Sequence, residues 1–86
     1  MSRNNLTTIL PHKIKIHYAE ARGQSALAVL RAWCVTLPGY LGFLSAELLI
    51  SSSEPDLVLV ASRWIDKVPQ LSLPDGVLSW VFEVAD

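Results

Sequence analysis

No run in this chain reaches the length of a membrane span, because Ser45 and Glu47 interrupt the longest apolar candidate. Cysteine is nearly missing. Cys34 stands alone, which excludes an internal disulfide framework and fits a reducing compartment. There is no basic cluster either: seven Lys and Arg face eight Asp and Glu, for a formal charge of −1. Lys13 and Lys15 are the densest positive spot, and they read as the solvated face of a strand. Nucleic-acid binding needs a basic stripe that displaces counterions, so that class is excluded. No Gly-x-Gly-x-x-Gly or phosphate loop occurs, and the four glycines, Gly23, Gly39, Gly42 and Gly76, stand at turns. Two histidines, one cysteine and scattered carboxylates offer no compact metal-ligand spacing. The N-terminus carries Arg3 and Asn4-Asn5 but no continuous apolar core and no small-residue cleavage site, so no secretory signal is expected. The cytoplasmic compartment is the default, with no membrane partner, no metal and no cofactor expected.

What the chain does have is apolar surface. Its 86 residues make one small domain, yet 51% are hydrophobic and the mean hydropathy is +0.37. So small an interior cannot hide that much Leu, Val and Ile, so burial against a second copy is expected.

Residues 1–12 read as a loose N-terminal tail, with a short extended piece at 6–10 that Pro11 ends. Residues 13–18 then alternate, Ile14, Ile16 and Tyr18 on one face and Lys13, Lys15 and His17 on the other, as in a half-buried strand. Gly23-Gln24-Ser25 supplies a break, with Ser25 as the expected N-cap. Leu27, Leu30, Cys34 and Leu37 follow at helical steps, widened by Ala26, Val29 and Trp33. Pro38 ends that helix and Gly39 favours a tight turn.

A second strand is expected over 42–50, with Leu44, Ala46, Leu48 and Ile50 opposed to Phe43, Ser45, Glu47 and Leu49. Ser51-Ser52-Ser53-Glu54-Pro55-Asp56 is hairpin-loop chemistry. The third strand, 57–64, is apolar on both faces and therefore central. Pro69 and Pro74 limit residues 65–76 to loop with at most a short helical turn, Leu71 and Leu73 folding inward. A closing strand begins at Leu78, with Trp80, Phe82 and Val84 opposed to Val81, Glu83 and Ala85.

The motif Leu37-Pro38-Gly39-Tyr40-Leu41-Gly42, the Glu54-Pro55-Asp56 turn and Val58-Leu59-Val60-Ala61-Ser62-Arg63-Trp64, in that order, resemble the antibiotic biosynthesis monooxygenase superfamily. The likeness covers about residues 25–66, and its weight lies in the ordered spacing. The resemblance implies an α+β, ferredoxin-like βαββ(α)β domain over residues 1–86 with an antiparallel sheet, paired into a dimeric α+β barrel. The second helix that family members carry after the Trp is expected to be short or absent. The haem-degrading branch uses an Asn on the first strand, where this chain has His17 and Tyr18, so haem is not implied.

Two functions follow from the resemblance. One is a cofactor-independent monooxygenase of a small aromatic or apolar molecule, in which Trp64 lines the cavity and donates its indole N–H, with Tyr40 as a second donor at the pocket mouth. The other is a non-catalytic binding or assembly module of the same fold. Beside the donor role, Trp64 also reads as a core tryptophan closing the barrel. Trp33 and Trp80 read as core or dimer contacts, His17 as exposed and inert, and Cys34 as a buried small hydrophobe. Arg63, next to Trp64 on a strand, points to the opposite face and belongs at a dimer interface or its edge.

Overall fold

The computed structural model describes residues 12–85, so the expected extended piece at 6–10 lies outside the described residues. Strand β1 (Ile14–Arg22) leads into helix α1 (Ala26–Cys34), and a 3-10 turn (Leu37–Gly39) carries the Pro-Gly pair. Strands β2 (Phe43–Ile50), β3 (Leu57–Ile65) and β4 (Leu78–Glu83) complete the elements of the described residues. All neighbouring strands pair antiparallel in the order β2-β3-β1-β4, which puts β3 and β1 in the centre. One α-helix and a four-stranded antiparallel sheet make this an α+β domain compatible with a ferredoxin-like fold.

Helix α1 forms where expected because Ala26, Leu30, Trp33 and Leu37 recur at three- and four-residue steps and bury one stripe. Ser25 occupies the N-cap position, but its side chain makes no cap hydrogen bond, contrary to the sequence reading. Its backbone is already helical (φ −90°, ψ −1°), which is not the extended geometry a capping serine adopts. The buried stripe lies against Ala19, Val58, Val60 and Trp64 of the sheet.

Two face assignments change. The covered face of β1 carries His17 and Ala19, not Ile16 and Tyr18. Helix α1 packs closely where the strand is small, and Ala19 and Ala21 allow that approach. His17 is therefore buried, and Lys15 lies on the same side, reaching the sheet end to pair with Glu83 at 2.9 Å. Phe43 also moves. An irregularity between Phe43 and Ser45 inserts one residue into β2, so Phe43 sits opposite Trp64 on the helix side while Ser45 opposes Arg63 on the other.

Residues 66–77 contain no helix, as the two prolines led us to expect. They leave β3 through Asp66, at φ 65°, whose carboxylate accepts from the Lys13 N–H and from His12. Leu71 and Leu73 then turn inward against the core. At the Pro-Gly turn, Gly42 holds φ 90°, and a Cβ there would stand 3.4 Å from the Ile65 carbonyl. Its own carbonyl accepts from the Ile65 N–H at 2.9 Å, tying the turn to the end of β3.

Candidate functional site

Two places on the domain have the features of a site, and they lie on opposite faces of the sheet. The first is the aromatic interior under α1. Trp64 is fully buried, with Phe43 at 5.4 Å and Tyr40 at 6.3 Å, both edge to face. The structure thus brings the two sequence-nominated residues together. The Trp64 indole N–H donates to Ser62 Oγ at 2.9 Å, and the Ser62 hydroxyl donates onward to the His17 carbonyl at 3.4 Å. That donor is engaged within the fold. Trp33, on α1, donates its own N–H to the Ser72 carbonyl at 2.7 Å and so pins the 66–77 segment over the helix.

His17 completes this interior. Its ring stands 6.0 Å from that of Trp33, and its buried Nδ1 has no hydrogen-bond partner among the described residues. Burial lowers its pKa from the ordinary value of 6.5. Sequence reasoning missed this residue by taking the lysine face as solvent-facing throughout. The signal that was available was Ala19 and Ala21, two small residues continuing the His17 face where a helix packs.

The lowered pKa has a readable consequence. In the unfolded chain His17 takes up a proton near pH 6.5, while in the folded chain it stays neutral to a lower pH. Below about pH 6.5 the unfolded state then binds more protons, so stability is lost as the pH drops, at up to about 1.4 kcal/mol per unit. The loss levels off once folded His17 is itself protonated. Urea unfolding at pH 8, 6 and 5 is expected to show this slope, and His17→Phe to reduce it. An unchanged slope in that variant refutes a buried neutral His17.

The second place is the open face of the sheet, where a groove of about 520 Å³ is lined by Ile16, Tyr18, Glu47, Leu49, Ala61 and Arg63, with Ser45 and Ala46. Cross-strand register makes it one surface: Ile16 opposes Arg63 and Phe82, and Tyr18 opposes Ala61 and Trp80. Tyr18 meets Phe82 edge to face at 5.7 Å. Leu49, Leu78, Trp80 and Phe82 are all exposed. As the sequence suggested, Arg63 lies on the face opposite to Trp64, and it too is exposed.

Elsewhere two groups of charges are paired. Lys13 and Lys15 both bind Glu83 at 2.9 Å and hold its carboxyl down at about 2. Arg22 binds Glu54 at 2.7 Å and Glu20 at 3.4 Å. Cys34 is half-buried, with its thiol pKa pushed up by burial, so its packing outweighs its reactivity. Among the described residues no group of three His, Cys, Asp or Glu is placed to hold a metal, and no helix is long and apolar enough to cross a membrane. Neither family models, nor curated proteins, nor solved structures provide a match to this chain.

Proposed function

We propose that this domain is a non-catalytic assembly module that pairs with a second copy of itself through the open face of its sheet, in the manner of a dimeric α+β barrel. The observation that carries the reading is the apolar content of that face. Ile16, Tyr18, Leu49, Trp80 and Phe82 lie on the side that α1 does not cover, and β4 is exposed along its whole length. Contiguous patches of this composition mark association surfaces, and aromatic residues are the anchors such interfaces favour. The ordered resemblance to the antibiotic biosynthesis monooxygenase superfamily supports the same arrangement.

Of the two functions that resemblance implies, the interior favours the module. Trp64 and Tyr40 serve the core, and the Trp64 donor is engaged by Ser62. One observation favours the oxygenase: among the described residues nothing partners the buried His17 Nδ1, as with a group awaiting a ligand. Oxygen uptake with an electron-rich phenol, lost in His17→Phe, would transfer the assignment to that reading. Sedimentation velocity is the direct test of the module. The expected result is a dimer at micromolar concentration, and a monomer throughout the range overturns the proposal.

A further inference from the structure

The open face is apolar, but it holds one cation and one anion that the fold leaves unused. Arg63 on β3 and Glu47 on β2 both line the groove, and both are exposed. Among the described residues neither takes part in an ion pair or a side-chain hydrogen bond, whereas Glu20 and Arg22, on the same face of β1 as Ile16 and Tyr18, pair with each other and Arg22 also with Glu54. Their placement follows from the register. Ser45 opposes Arg63 and Glu47 opposes Ala61, so the two charges occupy a diagonal of one face, with Ala61 and Ser45 on the other diagonal. The small side chains at those two positions leave the groove open between the charges.

This diagonal is self-complementary. A two-fold axis makes an interface isologous: what one subunit offers the other, it also receives. An axis through the groove sets each Arg63 against Glu47 of the partner subunit, and forms the contact twice. We infer that the two copies are locked in register by reciprocal Arg63–Glu47 ion pairs set within the apolar sheet face. This rests on the self-pairing proposed above and adds what chooses its alignment. An apolar face attracts another without fixing which residues meet, so it leaves slippage open. Two opposite charges in an otherwise apolar groove remove that freedom, because every slipped alignment desolvates them without a partner. Arginine suits the role, since its planar fork engages a carboxylate through two parallel hydrogen bonds.

The experiment is a charge swap read by sedimentation equilibrium of the full chain, with far-UV circular dichroism confirming that each variant is folded. Arg63→Glu and Glu47→Arg should each weaken the dimer at least about tenfold, since each sets like charges against each other twice. The double variant should recover wild-type affinity to within about threefold, having restored the pairs in reverse. A dimer that tolerates both single reversals, or a double variant no better than either, overturns the ion-pair inference while leaving the self-pairing intact. A wild-type chain that stays monomeric overturns both.

Discussion

Replacing Trp64 by alanine is expected to cost the protein much of its stability and to lower its urea midpoint sharply. The indole is fully buried beneath α1, with Tyr40 and Phe43 packed edge to face against it and its N–H held by Ser62. Truncating a side chain of that size removes its transfer free energy and leaves a cavity, together about 3–5 kcal/mol. A domain of this length commands a total stability on the order of 5–10 kcal/mol, so the loss takes up much of it. Trp64→Phe is the informative companion. It keeps most of the packing but leaves Ser62 Oγ without its donor, for a cost of about 1–3 kcal/mol. Urea midpoints compared at one protomer concentration check both values. An alanine variant with the wild-type midpoint would mean that Trp64 does not organise the core.

In the proposed dimer, Leu59→Asp is expected to separate the two copies without unfolding them. Leu59 lies on the open face of the central strand β3, between Glu20 of β1 and Leu49 of β2. A carboxylate there would be shut between two apolar sheets if the copies pair as proposed, at a desolvation cost of several kcal/mol. Within a single chain the same carboxylate reaches water, so the fold survives. The neighbouring position is the control. Val60 is fully buried on the helix side, and Val60→Asp should destroy the fold outright. Sedimentation and circular dichroism together distinguish the two outcomes, one a folded monomer and the other an unfolded chain. A Leu59→Asp variant that sediments as the wild type would place the interface elsewhere or remove it.

These contrasts show what was legible beforehand. Strand alternation, the α1 stripe, the hairpin serines and the two prolines of 65–76 are local signals, and each produced its element. The antiparallel sheet was expected too, and its order β2-β3-β1-β4 is compatible with a ferredoxin-like fold. Tyr40 and Trp64 were nominated as donors at one pocket, and their ring contact was not foreseen; it arises because the Pro-Gly turn and the end of β3 are tied through Gly42 and Ile65.

The sequence by itself determined the elements and their alternation, since a period of two or 3.6 is written in neighbouring residues. It did not determine which face of each strand is covered, because alternation is symmetric between the two sides. Ile16 and Tyr18 look like the buried set of β1, yet α1 lies over His17 and Ala19, where the side chains are small enough to admit it. Likewise one inserted residue in β2 moved Phe43 to the helix side, and nothing local announces such an irregularity. Only the tertiary structure made His17 an interior group and left Arg63 and Glu47 facing outward together. Packing of α1 on β1 decided the first and the β2–β3 register the second, and both join residues far apart in the chain.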